Sequence, residues 1–356
     1  MYLVLLGLVG VLNLVGLVMV MSASSIQSLQ KYGSPWHYFE RQVVWLGLGV
    51  VALVVARRVG HQRLRRLALP GIGVTGGLLC AVLIPGIGRS AAGASRWIGT
   101  ASFQVQPSEF AKLALVLFAA DILDRRSGRG DWKYQMMPVI LVFAALGALV
   151  MLQPDMGTTM VLGAMTLAML FTAGIPVRPL GGLIGTAGAG ALLLAVAAPY
   201  RWRRMTSFWH PLSDASNTGY QAAQGLAAMG SGKLMGSGLG SSIASWGYLP
   251  NAQTDFIFAV IGEETGLIGT VALTGLFALL ALVGTRIVCR TPDRYGALVG
   301  AGLTAWLVGQ AVINIGAVVG LLPVTGVPLP FVSFGGSSLV IAMFGVGLLA
   351  HVARRS

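Results

Sequence analysis

Apolar stretches of about the length that crosses a bilayer, separated by shorter polar ones, follow one another along nearly the whole chain. They lie at 1–21, 42–56, 67–84, 108–123, 136–152, 158–174, 180–198, 256–285, 296–322 and 337–352, and a spanning helix needs roughly 17 to 25 residues. The pattern predicts an all-α fold, a polytopic integral membrane protein with ten transmembrane helices in a single domain over residues 1–356. The run at 42–56 is short for a span, and that at 256–285 is long enough to hold an interfacial end. One polar interruption is much longer than the others. Residues 199–255 predict a long extracytoplasmic loop between helices 7 and 8.

Composition agrees. With 55% hydrophobic and only 10% charged residues, and a mean hydropathy of +0.79, a soluble chain would leave far too much hydrocarbon in water. The opening run lacks the basic start of a signal peptide, so despite the small residues Ser22, Ala23 and Ser24 after it it reads as the first span. Most of the 24 basic residues fall in alternate connections, among them Arg57, Arg58, Arg63, Arg65, Arg66, Arg125, Arg126, Arg178, Arg286, Arg290, Arg294 and Arg354. Basic residues are retained on the cytoplasmic side, which places both termini there. That retention, together with anionic lipid headgroups, accounts for the net charge of +13 without a nucleic-acid partner. Cys80 and Cys289 fall on opposite sides of the membrane and cannot pair.

Charge is so scarce that an acid at the mouth of an apolar helix reads as a functional candidate. Asp255 is such an acid: it closes the segment Tyr248-Leu-Pro-Asn-Ala-Gln-Thr-Asp255 where the long loop re-enters the eighth span. In its first turn the helix dipole favours the anion and leaves it a moderate base. Gln106-Pro-Ser-Glu109-Phe-Ala-Lys112 opens the fourth span with a proline and serine suited to a helix start. Glu109 and Lys112 share a helix face. They form either a self-neutralising buried pair or a polar cavity wall whose lysine faces a phosphate. Asp155, in the turn Gln153-Pro-Asp-Met-Gly-Thr158, suits a cap for the sixth span.

The long loop holds Tyr200-Arg-Trp-Arg-Arg204, an interfacial pattern, and a glycine-rich run, Gly230 to Gly240, that contains Lys233. Glycines let backbone amides approach an anion, although such a run serves equally as a flexible connector. The last connection, Leu321 to Ser338, carries three prolines and includes Ser333. It cannot be helical throughout, so it is either a rigid outer hairpin or irregular backbone lining a site. Glu263 and Glu264 read as packed or hydrogen-bonded rather than catalytic, and Gly262 and Gly266 as a small-residue pair for close helix approach.

These runs, with Gly-Glu-Glu-Thr-Gly-Leu after Ile261, Asn314-Ile-Gly, and Leu-Leu-Pro-Val-Thr-Gly-Val-Pro-Leu-Pro-Phe-Val-Ser-Phe-Gly-Gly-Ser-Ser338, resemble the SEDS family of FtsW, RodA and SpoVE proteins. The Met21-Ser-Ala-Ser run and Val-Thr-Gly326 are more similar to FtsW or SpoVE than to RodA. The resemblance implies a peptidoglycan glycosyltransferase that polymerises lipid II at the outer face of the cytoplasmic (inner) membrane. It implies a class B penicillin-binding protein as transpeptidase partner, along with other division or elongation complex proteins. It puts Asp255 at the catalytic aspartate and Glu109 with Lys112 at a polar cavity pair. Ser245, Asn251 and Gln253 stand where relatives often carry Lys, Glu and His.

Joining sugars requires a base for the acceptor hydroxyl and support for the charge growing on the leaving group. Asp255 can take the proton; Lys112, with Arg96 or Lys233, and Ser333 are the candidates to hold the substrate and its diphosphate. A divalent cation, Mg or Mn, fits the chemistry, although no ligand cluster is legible. Two rivals are a lipid II flippase, which needs ionisable groups near the midplane, and a non-catalytic scaffold of the division complex.

Overall fold

The computed structural model describes residues 1–91, 94–99, 103–128, 131–196 and 219–354. Its helices are α1 (Tyr2–Tyr32), α2 (His37–Val59), α3 (His61–Leu83), α4 (Pro107–Arg125), α5 (Trp132–Leu152), α6 (Met156–Thr172), α7 (Val177–Val196), α8 (Tyr220–Ser231), α9 (Ile257–Arg290), α10 (Arg294–Val318) and α11 (Gly336–Ala353). Each apolar run of the sequence falls on one of these helices. Seven of them, α1, α2, α3, α5, α9, α10 and α11, are long and apolar enough to cross a membrane. The short helix α8 lies in the long loop.

Local sequence explains the boundaries. Pro107 opens α4 where its missing N–H costs nothing. Asp155 caps α6 by accepting from Thr158 N at 3.1 Å, and Asp293 caps α10 from Gly296 N at 3.1 Å. The polar connection from α3 to α4 folds into a small antiparallel sheet of β1 (Arg89–Ala91), β2 (Ala94–Gly99) and β3 (Gln104–Val105).

The bundle has two unlike ends. At one, Arg57 reaches the Tyr2 hydroxyl at 2.5 Å, His351 Nδ1 meets Arg57 O at 2.7 Å, and Arg65 pairs with Asp121 and Asp124. Burial pushes the Asp293 carboxyl up, but hydrogen bonds from His61, Gly296 and Gln62 outweigh it and hold the group below its usual pKa. The contribution of this tie is therefore present at neutral pH and is lost in acid, as pH falls through that lowered value. At the other end lie Asp255, the sheet and the proline-rich last connection. Small residues let the central helices close up: a Cβ on Gly347 of α11 would sit 2.4 Å from Leu53 O of α2.

The eighth apolar run is not one continuous helix. Gly266 takes φ 68° and ψ −162° inside α9, which breaks the ladder and orphans backbone groups that hydrocarbon cannot satisfy. The glycine-rich run supplies the missing partners. Leu267 N donates to Lys233 O at 2.9 Å and Ile268 N to Leu234 O at 3.3 Å, while Ser237 N and Gly238 N donate to Glu263 O and Glu264 O at 2.9 and 3.0 Å. The Ser237 and Gly238 amides are thus bound to protein and not presented to an anion.

A Cβ on Gly266 would meet Gly236 N at 2.4 Å and Leu234 O at 2.5 Å. Gly266→Ala is expected to cost roughly 3 kcal/mol through strain and overpacking, read as a lowered Tm in detergent. Gly275→Ala, with nothing within 4 Å of the new methyl, should leave Tm unchanged or raised.

Candidate functional site

Two irregular segments meet at the end of the bundle opposite the arginine cluster. The first, residues 251–256, holds Asp255 two residues before α9 begins at Ile257. The sequence reading put it in the first helical turn; the helix starts later because Phe256 takes the N-cap position. The second is the stretch between α10 and α11, non-helical as its prolines dictate, with Val327, Leu329, Phe331 and Val332 buried.

Hydrogen bonds join the two. Ser333 Oγ donates to Thr254 O at 2.5 Å and accepts from Leu329 N at 2.8 Å, and Phe334 N donates to Gln253 O at 2.9 Å. Asn314 Nδ2, from α10, donates to both Asp255 O at 2.8 Å and Val327 O at 2.7 Å. The Ser333 hydroxyl is thereby engaged with backbone and is 4% exposed, which makes it a fastener rather than a substrate contact.

Arg96 comes to Asp255 from β2. Its Nε donates to Gln153 O at 3.0 Å and its Nη2 to Pro154 O, so the guanidinium is anchored on the turn before α6. Its Nη1 and Asp255 Oδ2 face the same point above Gly326, 3.9 and 3.6 Å from where a Cβ there would sit. Asp155, buried beneath them, accepts from Thr158 Oγ1 and Gln106 Nε2 as well as from its cap partner. The capping reading of Asp155 is the one its geometry fits.

Glu109 and Lys112 are also brought to this end, but sealed. Lys112 Nζ donates to Glu109 Oε1 at 2.7 Å and Gln310 Oε1 at 2.8 Å, and lies 4.9 Å from the Trp306 ring centroid. The two side chains are 2% and 1% exposed. Of the two readings, this is the self-neutralising pair, since Lys112 faces protein on every named side and no open space. Gln310 carries the pair to the last connection, donating from Nε2 to Pro328 O at 2.8 Å. Gln310 was missed in the sequence. Two amides four residues apart, Gln310 and Asn314, on one face of an apolar helix were the signal.

Lys233 is not brought to Asp255. Its carbonyl pairs with Leu267, twelve residues along from Asp255, roughly 18 Å at the helical rise, and its side chain is exposed. Glu263 accepts from Ser242 Oγ at 2.6 Å and Ile243 N at 2.9 Å, and Glu264 from Ser22 Oγ at 2.5 Å. Both acids fasten the loop to the bundle, as their packed reading expected. Ser245 donates to Ser242 O and Gln253 to Gln27, while Asn251 is exposed. Arg201, Arg203 and Arg204 lie outside the described residues.

A hollow of about 180 Å³, reached by Thr254 just before Asp255 in the chain, is walled by Arg41, Trp45, Trp97, Gln104, Thr254 and Phe334. It continues, past Arg41 and Trp45, into one of about 310 Å³ along α2. Apolar rings with a guanidinium at the rim suit a molecule with a hydrocarbon part and an anionic head. Among the described residues no three His, Cys, Asp or Glu side chains converge into a metal cage.

A family model described as "Cell cycle protein", for FtsW, RodA and SpoVE, matches residues 2–356. A probable peptidoglycan glycosyltransferase FtsW of Mycobacterium tuberculosis is 41% identical over 351 residues, covering 98% of this chain and 67% of that protein. One of Geobacter metallireducens is 38% identical, covering 99% and 94%. Stage V sporulation protein E of Bacillus subtilis is 40% identical, covering 95% and 93%. Among solved structures, a chain of a peptidoglycan synthase complex, studied for its coordination of polymerization and crosslinking, aligns with TM-score 0.81 and 31% identity over 98% of this chain and 96% of that one. Thermus thermophilus rod shape determining protein RodA aligns with TM-score 0.73 and 31% identity, over 98% and 95%.

Proposed function

This chain belongs to the family of FtsW, RodA and SpoVE and is a polytopic membrane peptidoglycan glycosyltransferase; we propose that it polymerises lipid II with Asp255 as the general base. The base takes the proton of the acceptor 4-hydroxyl as that oxygen attacks the anomeric carbon of the donor. The bond to the lipid diphosphate breaks, and its electron pair leaves with the phosphate oxygen.

One observation carries the assignment. Of the carboxylates at this end, Glu109 and Asp155 are each 2% exposed and hydrogen-bonded, whereas Asp255 is only partly buried and directly follows Thr254, which lines a hollow. A base has to touch solvent-accessible substrate. What supports Arg96 as the cation facing the leaving diphosphate, in place of Lys112 and Lys233, is that its Nη1 and Asp255 Oδ2 lie 3.9 and 3.6 Å from one point, where a Cβ on Gly326 would sit. Three nitrogens in a fixed fork, two of them already anchored, make it a preorganised counter-charge.

The arginine-rich end of the bundle supports a cytoplasmic placement of both termini, which puts Asp255 at the outer face of the cytoplasmic membrane, where lipid II is presented. The partner is a class B penicillin-binding protein that crosslinks the strand made here, within the cell division machinery or a related wall-synthesis complex. A divalent cation such as Mg or Mn would ease diphosphate departure, although among the described residues no three His, Cys, Asp or Glu side chains form a cage for it.

Proteoliposomes given labelled lipid II, with and without the partner, test the assignment. Polymer is expected; movement of lipid II across the bilayer without polymer would indicate a flippase, and neither would indicate a scaffold.

A further inference from the structure

We infer that Asn314 is a positioning residue for the reaction: its amide clamps the backbone of Asp255 to the last connection and so sets where the carboxylate points. The inference rests on Asp255 being the base. Asn314 is 2% exposed, in the last two turns of α10, and its Nδ2 spans Asp255 O at 2.8 Å and Val327 O at 2.7 Å. Both partners are carbonyls, which only accept, so the orientation of the amide follows from chemistry alone. Its Oδ1 is buried with no partner.

Asp255 precedes its helix and therefore lacks the regular ladder that would hold a residue inside it. The hydrogen bonds from Asn314 to Asp255 O, from Ser333 to Thr254 O and from Phe334 to Gln253 O stand in for that ladder. Of these three bonds, the one from Asn314 is made to Asp255 itself. Asn314 also holds Val327, next to Gly326, whose added Cβ would lie 3.6 Å from Asp255 Oδ2 and 3.9 Å from Arg96 Nη1. Loosening the clamp frees the carboxylate relative to Arg96, and a misplacement of about 1 Å can cost about a hundredfold in rate.

The test is Asn314→Asp. Because Oδ1 makes no bond, the change removes only the donor half at constant size, leaves both carbonyls without their partner, and adds a negative charge near Asp255. The variant is assayed for lipid II polymerisation in proteoliposomes with its partner, per mole of folded protein, with Asp255→Asn in parallel. We expect kcat to fall about 10- to 100-fold with KM within about threefold. The acid limb of the pH–rate profile should move to higher pH, since a like charge disfavours ionisation of the base.

A residue that only supports the fold would lower the yield of folded protein and leave kcat per mole of folded protein unchanged. Asn314→Ser, which keeps one donor, should lose less, about threefold to tenfold in kcat. It carries the test if the Asp variant does not assemble. If Asp255→Asn is dead while Asn314→Asp or Asn314→Ser turns over as fast as the unsubstituted protein at every pH, the clamp is overturned and the base stands. If Asp255→Asn polymerises normally, the base assignment itself falls.

Discussion

Asp255→Asn is expected to abolish glycan polymerisation while leaving the protein folded and able to bind its partner. A positioned base contributes about 10² to 10⁴ in rate, and asparagine cannot take a proton from a hydroxyl. The fold should tolerate the change because Asn314 holds this residue by its carbonyl, which every residue has. Asp155→Asn is the contrasting variant. Asp155 caps α6, is 2% exposed, and accepts from Thr158 and Gln106, so its replacement should lower Tm by roughly the worth of a weakened cap, about 1 kcal/mol, and spare most of the turnover. Polymerisation by purified Asp255→Asn at the unsubstituted rate would remove Asp255 from the mechanism.

Breaking the Glu109–Lys112 pair should produce the largest loss of stability. Lys112→Met leaves a carboxylate buried at 2% exposure without its cation, and removing one partner of such a pair costs about 3–5 kcal/mol. Glu109 Oε2 already lacks a partner, so the carboxylate has little else to lean on. The double variant Glu109→Gln with Lys112→Met removes both charges together. It should recover most of the lost stability, because well-packed neutral pairs of similar volume are often as stable as the ions they replace. Unfolding midpoints of the two singles and the double close the cycle. If Lys112→Met unfolds like the unsubstituted protein but no longer polymerises, the lysine serves substrate and the sealed-pair assignment is wrong.

Much of this architecture could be read before any coordinates. Apolar runs located the helices because lipid imposes length and hydropathy on each segment separately. Pro107 and Asp155 marked helix starts, and the prolines after Leu321 marked irregular backbone, because proline and capping effects act within a few residues. Other features did not show. Gly266 read as a packing glycine, but it breaks α9, since whether a glycine stays helical depends on what comes to pair with the broken ladder. The glycine-rich run read as an anion cradle or connector, but it is that pairing partner. Lys112 had two readings, and only the arrival of Gln310 and Trp306 from α10 closed one of them.

From the order of residues alone came a polytopic α-helical membrane protein, its arginine-rich end, and Asp255 as an acid too costly to keep without a use. These follow from the solvation of each segment by itself. Tertiary structure decided that Arg96, from a small sheet, and Asp255 flank Gly326, that Lys233 is kept away by its bonds to α9, and that Asn314 bonds the Asp255 carbonyl. Those contacts join segments tens to hundreds of residues apart. Whether they form depends on how the helices pack against one another, and no local pattern of apolar and polar positions encodes that.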